Sequence, residues 1–210
     1  MNYILHILIM IGIYLILIYS LNLVVGFGGL LSLCHAAFYG IGAYTYAILS
    51  LHVKFPFVPA VISALLITGF IAFITGIPAL RFRGDMFVVV TLGFQIIIFT
   101  ILYNWVSFTR GPYGIPGIPQ PVDSLPEFLL LIFVINVIFL SYLFLLYKSP
   151  FGLVLKSLRE DERASEALGK NAFKYFLYSF TIAGGISGVS GALFACYTTY
   201  IDPTSFTLEE

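Results

Sequence analysis

Six long apolar runs constrain this chain more than any other feature. They cover residues 3–23, 36–51, 57–80, 86–106, 127–147 and 175–200. A helix needs ~20 mostly apolar residues to cross the hydrocarbon of a bilayer. In lipid every backbone N–H and C=O must find a partner within the protein, which leaves helices or a closed barrel. Continuous runs of this length, without a period of two, select helices. Charged residues are 10% of the chain and hydrophobic ones 60%, against ~25% charged in a soluble domain. The expected fold is all-α: a polytopic transmembrane helical bundle of about six spans, with residues 1–210 as one domain in a bilayer.

Formal net charge is zero, which argues against a nucleic-acid partner, since that calls for a basic patch. The first run is longer than the ~7–15 residues of a signal h-region and has no cationic residues before it. It reads as a retained span. Cys34 and Cys196 lie inside apolar runs without CxxC spacing, and read as small buried hydrophobes.

Charge placement predicts orientation. Residues 148–174 hold six of the ten cations (Lys148, Lys156, Arg159, Arg163, Lys170, Lys174) and four of the ten anions (Glu160, Asp161, Glu162, Glu166). The positive-inside rule puts this loop in the cytoplasm. Loop 107–126 is then outside, Arg81 and Arg83 inside, loop 52–56 outside, and the N-terminus outside if residues 24–35 stay on the cytoplasmic side.

Five glycines crowd the segment LNLVVGFGGLLSLCHAAFYGIGAY: Gly26, Gly28, Gly29, Gly40 and Gly42. Glycine permits both non-helical backbone and close helix approach. The segment is expected to be broken or re-entrant. Broken helices at membrane depth often shape transport pathways, with helix N-termini facing an anionic group. Gly26, Gly28, Gly29, Ser32, His35, Gly40, Gly42 and Gln95 are the candidate pathway residues, and glycine-mediated packing is the alternative. Loop 109–121, TRGPYGIPGIPQP, is proline- and glycine-rich and predicts a shaped loop, not a helix. Arg81, Arg83 and Asp85 read as interfacial anchors.

GGISGVSGA at 184–192 predicts a small-residue packing face. It also contains a G-x-S-G match to rhomboid-type intramembrane proteases at Ser187, but His6, His35 and His52 all precede the serine, whereas the rhomboid base lies on a later span. The polar residues within the runs (Asn22, Gln95, Asn104, Asn136) are uncharged. This disfavours a proton- or ion-coupled secondary transporter or channel, whose relays are usually ionisable. Gly169-Lys170-Asn171 lacks the upstream glycine and the hydroxyl of a P-loop, so nucleotide binding by that route is not expected.

Residues 151–168, FGLVLKSLREDERASEAL, predict a short amphipathic helix. Ser149-Pro150 would cap its start and Gly169 would stop it. Arg159 with Glu162, at i,i+3, would pair along it.

Five ordered segments carry a family resemblance: GFGGLLSLCHAAFYGIGAY (26–44), GIPALRFRGDMFVVVTLGF (76–94), RGPYGIPGIP (110–119), SPFGLVLKSLREDERASEALG (149–169) and DPTSFTL (202–208). The chain resembles the LivM-type permease subunits of bacterial branched-chain amino-acid ABC transporters. Glu166-Ala167-Leu168-Gly169 is similar to the ABC-permease element that forms a coupling helix. That resemblance implies docking to an ATP-hydrolysing subunit through Arg159, Glu160, Asp161, Glu162, Arg163, Glu166, Ala167 and Gly169. It also implies a sister permease, an extracytoplasmic substrate-binding protein, and location in the bacterial inner membrane. No cofactor is expected on this chain, ATP being held by partner subunits, and no catalysis. Cys34, Ile96 and Phe99 depart from the family pattern. Members usually continue with further spans, so the chain reads as a fragment lacking C-terminal spans.

Overall fold

The computed structural model describes residues 2–122 and 124–206. Helix α1 (Asn2–Asn22) widens into a π turn at Leu23–Phe27. Then follow α2 (His35–His52), α3 (Phe57–Ala79), α4 (Asp85–Asn104), α5 (Val106–Thr109), α6 (Leu125–Lys148), α7 (Pro150–Glu160), α8 (Glu162–Ala167) and α9 (Ala172–Thr198). Two short strands, β1 (Ile115–Pro116) and β2 (Tyr200–Ile201), pair antiparallel. Helices α1, α3, α4, α6 and α9 are each long and apolar enough to cross a membrane.

Helix α9 is the axis. It packs on α1, α2 and α3, and most of its residues are buried. The helices around it turn large side chains such as Phe70, Phe133 and Leu145 outward. Between helices in lipid there is no water to exclude, so association depends on close van der Waals fit. The small-residue face of α9 supplies that fit. A Cβ on Gly42 of α2 would collide with the backbone of Gly188, and one on Gly191 would collide with the Tyr39 carbonyl. Gly184 meets Ala72 of α3 in the same way.

Helix α2 corrects the expectation of six spans: the run 36–51 forms a helix that is not among the five long and apolar enough to cross. The Ser187 hydroxyl donates to the His35 carbonyl at 3.1 Å. Ser187 lies well inside α9, about 22 Å from its start at ~1.5 Å per residue. Helix α2 therefore begins near mid-depth and runs parallel to α9. The chain below it is non-helical. Irregular backbone is tolerated at such depth only when protein satisfies it. Here Gly29 and Leu30 N–H donate to the Val25 and Val24 carbonyls, each at 3.1 Å. Leu33 N–H donates to Thr91 Oγ1 of α4 at 3.2 Å. The expectation that residues 24–35 stay at the charged side therefore holds for the π turn and for Gly28–Leu30, and the chain beyond climbs inward to His35. The sidedness of α1 is unaffected, because His6 at its start meets the Tyr197 hydroxyl at the end of α9.

The alternation of loops agrees with the charge pattern. The π turn, the α3–α4 turn and α7–α8 share one face. The β1–β2 pair and loop 111–122 share the other, where Ile118 N–H donates to the Thr199 carbonyl and Tyr46 Oη donates to the Pro119 carbonyl. From that far face, Pro203–Phe206 turns inward. Phe206 is buried against Tyr39, Tyr44 and Phe194, and its carbonyl accepts from Gln95 Nε2 at 2.9 Å. Asp202 caps this turn. Burial opposes ionisation of its carboxyl, but hydrogen bonds from Ser205 and Thr204 outweigh that and hold its pKa below the usual value. Thr207 and Leu208 of the 202–208 match lie outside the described residues.

Substituting Gly42 by Val should lower the melting temperature of the detergent-solubilised protein by several degrees or abolish its monodisperse peak, since overpacking costs ~1–3 kcal/mol. Gly93→Ala, with open space around its Cβ position, should leave both unchanged. A thermal-stability series by size-exclusion chromatography checks this.

Candidate functional site

The charged segment is a folded object with two sides. Its first corner is built by Ser149, whose Oγ accepts from Gly152 N–H at 3.4 Å and donates to the Leu146 carbonyl at 2.6 Å. Pro150 occupies the first turn of α7. Leu155 and Leu158 bury the inner face of α7, while Leu153 stays 62% exposed.

The single helix expected over 151–168 is broken at Asp161, where the backbone is extended (φ −150°, ψ 103°). The cause is local. The Asp161 carboxylate accepts from Ala164 N–H at 3.0 Å and caps α8, an alternative to helix that Asp offers the backbone. The predicted Arg159–Glu162 pair along one helix does not form, because the break turns those side chains to different partners. Ser165 closes the joint, its Oγ donating to the Asp161 carbonyl (2.8 Å) and lying 3.2 Å from Ser157 Oγ. Helix α8 stops as expected at Gly169 (φ +80°). Lys170 N–H donates to the Ser165 carbonyl and Gly169 N–H to the Glu166 carbonyl, the paired bonds of a Schellman motif.

Outward lie Glu160, Asp161, Arg163, Glu166, Ala167, Leu168 and Gly169, all exposed. Leu168 is 81% exposed at the tip. Two of the expected docking residues, Arg159 (exposed) and Glu162 (half-buried), also reach back to the bundle. The Arg159 guanidinium donates to the Gly26 carbonyl. Glu162 forms an ion pair with Arg83 of the α3–α4 turn. The side chains of that pair are 52% (Arg83) and 24% (Glu162) exposed, so it adds only ~0–1 kcal/mol to stability. Its effect is on position. Arg83, expected as an anchor, is thus part of the site. The signal for it was present: Arg83 and Glu162 are opposite charges that topology assigns to one face.

A cavity of about 220 Å³ lies between these elements, lined by Gly28, Gly29, Arg83, Leu158, Arg159 and Glu162 among others. Of the candidate pathway residues, Gly28 and Gly29 line it, and Gly26 touches it through Arg159. The others are apart. Ser32 Oγ bonds Cys34 Sγ at 3.2 Å. The buried His35 ring makes no hydrogen bond of good geometry. Gly40 packs on Phe206, Gly42 on Gly188, and Gln95 on the Phe206 carbonyl. Three larger grooves are apolar, face the surroundings, and contain none of the eight. Ser187 spends its proton on a backbone carbonyl, a packing bond, so the protease geometry is not present.

Fold and segment together define a multi-pass helical membrane protein presenting a folded charged element on one face. A family model described as branched-chain amino acid transport system / permease component matches residues 3–210. The high-affinity branched-chain amino acid transport system permease proteins LivM of Salmonella typhimurium and Escherichia coli are each 35% identical over 227 residues, covering 94% of this chain and 53% of theirs. A probable branched-chain amino acid transport permease protein LivM of Methanocaldococcus jannaschii is 27% identical over 201 residues, covering 86% of this chain and 58% of its own. The chain spans about half the length of the curated relatives it matches. No solved structure matches it. The chain belongs to the branched-chain amino acid transport permease family.

Removing the Asp161 cap by Asp161→Ala should destabilise α8 by ~1 kcal/mol. Hydrogen exchange should then speed up at 162–168 and stay unchanged in α9.

Proposed function

We propose that this chain is a membrane-spanning permease subunit of an ATP-driven importer of amino acids, branched-chain ones by the names of its relatives. The charged face is cytoplasmic, in the inner membrane of a bacterial cell. The outward side of α7–α8 docks into a separate ATP-hydrolysing subunit. A sister permease and an extracytoplasmic substrate-binding protein complete the assembly. ATP is bound by the partners, and this chain performs no covalent chemistry.

The observation that carries the reading is Leu168, which stands 81% exposed beside Glu166 and Arg163 on a short helix fixed at both ends. An exposed apolar tip on a capped element that also exposes Arg163 and Glu166 suits an interface with an apolar centre and polar rim. Exposed leucines such as Leu66, Leu130 and Leu145 lie on long helices that face lipid, whereas Leu168, like Leu153 of α7, belongs to the charged segment, and it is the most exposed of them.

Docking makes the outward side a lever. Closure of the ATPase pair displaces α7–α8, and the packed helices respond as rigid bodies, alternating access. Leu168→Asp and Glu166→Lys should each abolish ATP-dependent uptake of leucine and reduce co-purification of the ATPase subunit, while membrane abundance stays at the parental level. Uptake that survives either substitution, or survives ATP depletion, overturns the proposal in favour of an ion-driven carrier.

A further inference from the structure

The inward side of the charged segment carries chemistry that docking does not use. The last carbonyls of any helix lack intrahelical donors. At the end of α1, the Val24 and Val25 carbonyls are taken by Leu30 and Gly29 N–H. The Gly26 carbonyl is taken instead by the Arg159 guanidinium, from a helix more than 130 residues later. A cation at a helix C-terminal pole is electrostatically favoured. Gly29 makes the approach possible, since it sits at φ +67° and a Cβ there would stand 2.8 Å from Arg159 Cγ. The buried Leu158 beside Arg159 fixes its register.

Beyond the Asp161 break, Glu162 holds Arg83, next to Gly84 at φ +59° where α4 begins. The end of α7 is thus tied to the π turn that closes α1 and opens the connector to α2, and the start of α8 to the turn leading into α4. These two paths meet again deeper in the protein, where Leu33 N–H of the connector donates to Thr91 of α4. A cavity of about 220 Å³ lies between the two ties.

We propose that Arg159 and Glu162 are positioning residues that form a two-point latch, carrying displacement of the docked segment into α2 through the Gly26 carbonyl and into α4 through Arg83. The inference rests on the docking role proposed above. It removes both residues from the docking surface and gives them the transmission step. Either tie alone would let one helix lag behind the other.

The test uses the complete transporter, reconstituted in liposomes with its ATPase subunits, sister permease and binding protein. Arg83→Glu and Glu162→Arg should each leave the ATPase subunits bound and hydrolysing ATP, while leucine taken up per ATP falls about tenfold. The double exchange, R83E with E162R, should restore the ratio to within a few-fold of the parent. Arg159→Met should uncouple likewise, and Arg159→Lys, which keeps the cation and a donor, should not. The latch is overturned if the single variants transport normally, if the double exchange fails to restore coupling, or if the variants release the ATPase subunits. It is also overturned if none of them, Arg159→Met included, accumulates in the membrane, which would make the contacts structural alone. If the parental chain itself binds no ATPase subunit, the docking reading fails, a result distinguishable from failure of the latch.

Discussion

The contact between α2 and α9 at Gly42, Gly188 and Gly191 is the constraint on which the rest of the structure depends. Two backbones lie against one another there, at a separation that no side chain permits. Because α9 takes α2 so closely, α2 is enclosed by protein and need not be apolar all round. Enclosure in turn allows α2 to begin in mid-membrane, with its lead-in chain satisfied by Val24, Val25 and Thr91 instead of by a helix. A leucine-packed interface would hold the helices ~8–10 Å apart. The irregular chain would then face lipid, where unsatisfied amides are costly.

The same economy of contact organises the charged face. Asp161 divides one polar stretch into two short helices, and the division sorts the side chains. Leu168, Glu166 and Arg163 point away from the bundle, while Arg159 and Glu162 reach back to it. An unbroken helix over 151–168 would have paired Arg159 with Glu162 internally, leaving Gly26 and Arg83 without these partners. The break therefore leaves an exposed side and an attached side on one short segment, through a few local hydrogen bonds.

Much of this was legible in the sequence. The apolar runs located the long helices, and the charge bias located the faces, because both reflect large transfer free energies that no neighbour can override. The small-residue face of α9 was legible too, since Gly184, Gly188 and Gly191 fall at a spacing that suits close helix packing. What was not legible depended on contacts between distant residues. The mid-depth start of α2 requires knowing that Ser187 meets the His35 carbonyl. The inward turn of Arg159 requires knowing that α1 ends in a π turn with a carbonyl to spare. The break at Asp161 was local and could have been read from Asp161-Glu162 as a helix start; the i,i+3 charge pattern around it favoured one continuous helix instead. The pathway residues scattered because glycine signals close packing and broken backbone with the same letter. At Gly40 and Gly42 packing won, and at Gly29 the bend did.

The central claim is that the charged segment has a docking side and an attachment side. Site-specific photo-crosslinking in the assembled transporter tests it most directly, with a benzophenone residue placed in turn at Leu168, Glu166 and Arg159. The account predicts adducts to an ATPase subunit from 168 and 166, and only internal adducts from 159. Adducts to the ATPase subunit from 159 with none from 168 would contradict it.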